Sequence, residues 1–169
     1  IFHAKPEEPV SAHKRVVMNS WGFCDYFNRI LPPDLIFEQA YAKRAQDADR
    51  WSIRSDADVK PVPAHSTIEG GKSAAVVALQ LLKRNRNLRY STRKGVRMPP
   101  SVMMAKFTAE CQLPTGTIAG ALDVISGAML SALVAAEARS GLVKVCNPKC
   151  DDDIFTDRWP ENRAAQQTY

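Results

Sequence analysis

"SAAVVALQLL" occupies residues 73–82, and its reading decides the fold. As a helix it is apolar or small on almost every face, leaving no side for water, so it belongs in the middle of the protein. Ser66 or Thr67 upstream supplies a natural N-cap. The apolar run stops at Leu82, and the cations start at once. Residues 81–107, "LLKRNRNLRYSTRKGVRMPPSVMMAKF", carry eight Lys and Arg and no Asp or Glu. Over the wider span 70–109 nine cations stand with no acid, while the whole chain has a net charge of +5, so the remainder sums to −4. The chain is electrostatically polarised, which points to an anionic partner for one surface or to a solvated face.

Outward from this segment the pattern stays helical. "SWGFCDYFNRIL" (20–31) is a short amphipathic helix closed by two prolines, because a residue before proline is driven out of the helical region. In "DLIFEQAYAKRAQDADRW" (34–51), Phe37, Tyr41, Ala45 and Ala48 recur three and four apart and predict a second amphipathic helix. "SIRSDADVKPVPAHS" (52–66) reads as a connecting loop. Downstream, "STRKGVRMPP" (91–100) is a loop, and "SVMMAKFTAEC" opens a helix with Ser101 in its first turn. A longer helix is predicted from about Thr117 to Arg139, with Ile118, Leu122, Ile125, Met129, Leu133 and Ala136 on one stripe and Gly141 as its stop. "IFHAK" at the start and "LVKVCNP" near the end read as extended pieces, and "DRWPENRAAQQTY" begins a final helix.

With 169 residues, 45% of them apolar, the chain has enough material for a real core. "TIAGALDVISGAMLSALVAA" (117–136) is its longest apolar stretch, but its Ala, Gly and Ser content and Asp123 suit a buried helix better than a membrane span. "IFHAKPEEPV" lacks the features of an export signal, so a cytoplasmic location is expected and the four cysteines read as reduced thiols. Both ends look cut, which suggests a piece of a larger protein.

Few residues suggest catalysis. "CNPKC" offers Cys146 and Cys150, but structural zinc needs four ligands, and His3, His13 and His65 show no pairing pattern. Asp56 and Asp58 would share a face on a strand and could hold a metal, yet their flanks read as loop and leave them as solvent-exposed acids. Asp151, Asp152, Asp153 and Asp157 read as solvated acids ahead of a helix. The basic run is the better candidate. If the buried helix ends at Lys83 and Arg84, and a second helix starts after "PP", an ammonium meets the free N–H groups of that helix and the Ser101 hydroxyl, a combination suited to polyphosphate. Nucleic acid would fit the same patch, and no glycine-rich phosphate loop separates the two.

The order "VVALQLLKRNRN", "MPPSVMMAKF", "VCNPKCDDDIFTDRWPEN" resembles the C-terminal half of the bacterial cGAS/DncV-like nucleotidyltransferases (CD-NTases), relatives of oligoadenylate synthase. The resemblance covers nearly the whole chain. It implies a mainly α fold, α+β in the parent, in which a helical lobe joins a small extended remnant of the catalytic α/β core. Residues 1–20 would end that core, 21–65 would be helices and a connecting loop, and 66–169 the C-terminal nucleotide-binding lobe. It implies that Lys83 and Ser101 contact the triphosphate of a donor nucleotide, with Arg84, Arg86 and Lys106 as neighbours of the pocket. Val102 stands where some relatives carry an aromatic that stacks on the base. The partners implied are nucleoside triphosphates and the missing N-terminal catalytic lobe. The product implied is a cyclic oligonucleotide second messenger used in antiphage signalling. The family holds Mg²⁺ on carboxylates of a Gly-Ser motif that this sequence lacks, so the chain alone is expected to be inactive. The alternative is a non-catalytic helical module that binds nucleic acid.

Overall fold

The computed structural model describes residues 2–3, 14–15, 17–31, 34–52, 73–111, 113 and 117–167. Six helices and two small antiparallel pairs make up these residues. In chain order they are β1 (Phe2–His3), β2 (Lys14–Arg15), α1 (Ser20–Ile30), α2 (Leu35–Ser52), α3 (Ala74–Tyr90), α4 (Ser101–Glu110), α5 (Ile118–Ala138), β3 (Cys146–Asn147), β4 (Cys150–Ile154) and α6 (Arg163–Gln167). β1 pairs with β2, Phe2 opposite Arg15, and β3 with β4, Cys146 opposite Ile154. The expected mainly α architecture with a little extended structure is the one observed.

α3 runs through the middle, packed on both α4 and α5. Its first turns bury Ala74, Ala75, Val77, Ala78 and Leu79, as the all-round apolar sequence requires. Its cap is Ser73, whose Oγ accepts from the Val76 N–H at 3.3 Å; Ser66 and Thr67 lie outside the described residues. The expected end at Lys83 and Arg84 is wrong. Leu, Lys, Arg and Asn extend a helix at small cost, and no Gly or Pro interrupts "KRNRNLRY", so α3 continues for two more turns to Tyr90. Lys83 therefore leaves from the helix flank instead of its C-terminus. The chain turns back at Gly95, which takes the left-handed conformation (φ 75°) that glycine adopts without strain.

α5 lays Ala121, Ile125, Met129 and Ala136 into the core, close to the expected stripe. By length and composition it could cross a membrane; its buried stripe meets α3 and α4, but most of its surface, Leu130 and Val134 included, is not buried, so it is less enclosed than the buried helix the sequence suggests. Its C-terminus departs from expectation. Ser140, not Gly141, takes the left-handed position (φ 56°), and the Gly141 N–H closes the turn on the Ala136 carbonyl at 2.9 Å. α2 also differs. Phe37 is buried beside Ala74 and Val77, but Leu35, Ile36 and Tyr41 are exposed, so the described part of α2 rests on the core through one aromatic.

The segment after α5, residues 141–167, forms a cover on the bundle and buries Val143, Val145, Phe155 and Trp159 in its core. The Val145 N–H donates to Thr156 Oγ1 (2.9 Å) and the Phe155 N–H to the Val145 carbonyl (2.8 Å). Buried Gln166 of α6 supplies an amide oxygen to the Val143 N–H at 2.7 Å, replacing a strand partner with a side chain. α1 joins this cover through a compact polar knot. Asp153 is buried, and its Oδ2 accepts from the Asn19 N–H (3.0 Å) and from Asn147 Nδ2 (2.8 Å). Asn147 Nδ2 also donates to the Asn19 carbonyl, and Asn19 Oδ1 caps α1 by accepting from the Gly22 N–H at 3.0 Å. Of the four clustered aspartates, then, Asp151, Asp152 and Asp157 are exposed as expected, while Asp153 is a buried structural anchor on β4. The Phe23 ring meets Phe155 edge-on at 4.9 Å beside the knot.

Two substitutions test this account. A Cβ on Gly22 would lie 2.6–2.9 Å from the Asn19 side chain, which its hydrogen bonds hold in place. Gly22→Ala, which in an ordinary helix stabilises, is expected here to lose about 1 kcal/mol in urea unfolding through the broken cap. Ser140→Gly is expected to raise the unfolding midpoint, because glycine enters the left-handed region without the cost of a Cβ.

Candidate functional site

The cationic stretch divides between two surfaces once folded. Lys83, Arg84 and Arg86 sit on the second half of α3, Ser101 opens α4, and Lys106 lies one turn further along α4. Between the helices, Pro99 is buried, and Pro100 occupies the cap position of α4 without a side chain able to cap it. The first N–H groups of α4 thus have no capping acceptor from that residue, and they carry the positive end of the helix dipole.

Arg86 ties the two helices together. Its side chain is buried, its Nη1 donates to the Pro99 carbonyl (2.7 Å) and to Ser101 Oγ (2.8 Å), and its Nε and Nη2 both reach Asn87 Oδ1 (3.1 and 2.8 Å). Lys83, one turn earlier on α3, is half-buried. Burial, and then the like charge of Arg86, hold its pKa below the ordinary lysine value. Lys83 is thus electrostatically coupled to a guanidinium that itself touches Ser101. Arg86 and Ser101 meet at the start of α4, with Lys83 one turn before Arg86 on α3, and both Lys83 and Ser101 are partly open to solvent.

The other expected neighbours stand apart from it. Arg84 projects into solvent. Lys106 pairs with Glu110 at 2.7 Å and borders a different hollow of about 230 Å³, shared with Phe107, Arg139 and Lys144. Val102 is exposed beside Ser101. A cavity of about 240 Å³ lies behind Arg86, between α3 and α5, with Leu82, Met129 and Leu133 as its apolar wall and Asn85 and Ser126 at its edge.

Sequence reasoning missed the central place of Arg86, which it set beside Arg84 as one more nearby charge. Its partners lie 13 and 15 residues away, and only the α3–loop–α4 geometry reveals them. Among the described residues no three His, Cys, Asp or Glu side chains converge as a metal site, and Asp56, Asp58, His13 and His65 lie outside them. The four cysteines are free; burial, and then Glu110, push the Cys111 thiol pKa up, which keeps it protonated and unreactive. What the described site offers is donors for an anion.

No family model matches the chain. The cyclic dinucleotide synthase CdnG of Bradyrhizobium diazoefficiens is 34% identical to it over 169 residues, all of this chain and 40% of that protein. The solved structure of the same organism's CD-NTase CdnG in complex with GTP superimposes with a TM-score of 0.75 at 29% identity, covering 98% of this chain and 50% of that one. The chain thus spans about half or less of the length of these relatives, and the resemblance read from its motifs extends over its whole length.

The lowered pKa of Lys83 sets the sign of a stability effect. Between that lowered value and 10.5 the unfolded chain binds more proton than the folded one, so position 83 makes stability rise with pH in this window. Urea midpoints measured across it are expected to climb for the native chain and to lose that part of the slope in Lys83→Met.

Proposed function

Taking as premise that the chain is similar throughout to part of a CD-NTase, we propose that it supplies the donor-triphosphate subsite of a nucleotidyltransferase that makes a cyclic dinucleotide. In this reading residues 1–20 close the catalytic core, 21–65 connect, and 66–169 form the nucleotide-binding lobe. The observation that supports it is the bond between Arg86 and Ser101 at the start of α4, which has no side-chain cap, with Lys83 one turn before Arg86 on α3.

The chemistry follows from what these groups offer. A triphosphate tail presents only acceptors and negative charge. Lys83 provides a compact ammonium that meets phosphate oxygens without a planar requirement. Ser101 Oγ and the first N–H groups of α4 donate hydrogen bonds to the same oxygens. Holding the tail fixes the α-phosphate in position for attack by a hydroxyl of the second nucleotide, which turns an encounter between two molecules into a step within one complex. Mg²⁺, bound in this family by carboxylates, supplies charge neutralisation at the phosphates. In this reading the metal's ligands lie in the catalytic lobe that carries the family's Gly-Ser motif, as the resemblance implies. A cytoplasmic role in antiphage signalling completes the reading. The GTP bound by the structural relative makes GTP the first donor to try.

Calorimetry of the intact protein with GTP tests the assignment. Lys83→Ala and Ser101→Ala are each expected to weaken binding about tenfold or more, the scale of a hydrogen bond to a charged group. A steep salt slope with duplex DNA and no triphosphate preference would instead favour the nucleic-acid module.

The pH dependence gives a second test. Because Lys83 loses its proton below the ordinary 10.5, GTP affinity is expected to fall as pH climbs through that lowered pKa. Lys83→Arg keeps its charge throughout the range and is expected to remove this fall.

A further inference from the structure

Arg86 is an unusual residue to find at 8% exposure on the second half of α3. A buried guanidinium is tolerated only when its N–H groups are satisfied. Here both of its edges are held: Nη1 spans the Pro99 carbonyl and Ser101 Oγ, while Nε and Nη2 grip the single oxygen of Asn87. Two edges bonded to two different segments leave the plane little freedom to rotate.

The bond to Ser101 runs in one direction. A serine hydroxyl can donate or accept, and an unrestrained one rotates among its wells. Guanidinium has five N–H donors and no acceptor, so in this contact Ser101 Oγ must accept. One lone pair is thereby engaged, and the hydroxyl proton has to point elsewhere. Phosphate oxygens can only accept, so the serine best prepared for them presents its proton and not a lone pair.

We propose that Arg86 is a positioning residue for phosphate binding, which by donating to Ser101 Oγ fixes that hydroxyl as an outward-facing proton donor. This rests on the assignment of Ser101 to the triphosphate subsite. The bond to the Pro99 carbonyl does a second part of the work, since it holds the backbone immediately before α4 and so aims the helix start and Ser101 together. Lysine could keep the charge but not the role, because a single nitrogen cannot hold the Asn87 oxygen on one edge and bridge Pro99 and Ser101 on the other. The like charge set beside Lys83 is a cost of this arrangement, in keeping with a positively charged site that awaits an anion.

A double-mutant cycle on the intact protein, with inorganic tripolyphosphate as the probe, tests the role. Ser101→Ala and Arg86→Lys are each expected to weaken tripolyphosphate binding about tenfold, and the double variant to lose clearly less than the two losses multiplied, because most of the effect of Arg86 passes through Ser101. Arg86→Gln is run in parallel, with the variant that retains the native thermal melt carrying the cycle. Arg86 guanidinium proton exchange, followed by NMR without any phosphate, is expected to quicken in Ser101→Ala. Losses that multiply in the double variant, or unchanged exchange, would overturn the role of Arg86 while leaving the subsite standing. No tripolyphosphate or GTP binding by the native protein would overturn the subsite itself, and the role of Arg86 with it.

Discussion

One helix has to be two things along its length. The first half of α3 is buried among α4 and α5, and its second half carries Lys83, Arg84, Arg86 and Arg89. A rod with a greasy end and a charged end can be held rigidly only if the charged end is also tied to the protein. Arg86 provides that tie. Its bonds to Pro99 and Ser101 fasten the charged half of α3 to the start of α4, so the relative placement of the two helices is set at both ends, by packing at one and by hydrogen bonds at the other. The start of α4 is therefore tied to the packed half of α3 through Arg86, which is what precise binding of a flexible phosphate tail would require.

The polar knot at the other pole solves a related problem. α1 is short and reaches the core mainly through Phe23, and the hairpin of β3 and β4 has only a few ladder bonds of its own. Neither would hold its place alone. Asp153, Asn147 and Asn19 join them through hydrogen bonds that satisfy a buried carboxylate while capping the helix. Losing any of the three leaves the others with unmet polar groups, so the cost of a change there exceeds a single bond.

The fold was readable where side-chain pattern is the cause of structure. The all-apolar run of α3, the stripe of α5 and the prolines before α4 each dictate a local outcome, and each element appears where its pattern stands. Readings failed where the cause lies elsewhere. The end of α3 was placed at the first cations, although charge does not stop a helix and only loss of backbone bonding does. Ser140 took the left-handed position ahead of a glycine because closing the turn on Ala136 requires it there. Asp153 looked like its exposed neighbours because strand alternation does not single it out, Asp151 on the same side being exposed; what buries it is its bonding to Asn19 and Asn147, which composition does not show. In the proposed site, Lys83 and Ser101 are singled out by their likeness to a family pattern. Arg86 was undervalued because its importance comes from contacts between segments and not from its own neighbours in sequence.

The Asn19 to Asp153 bond joins residues 134 positions apart. A ribosome releases the chain from one end, so α1 emerges long before the strand that anchors it. Until residue 153 is free, the loop to be closed does not exist, and afterwards its closure carries the entropy of a long loop. The start of the first helix is thus among the last features to be secured, even though its aromatic face, Phe23 with Tyr26 and Phe27, can meet α4 earlier.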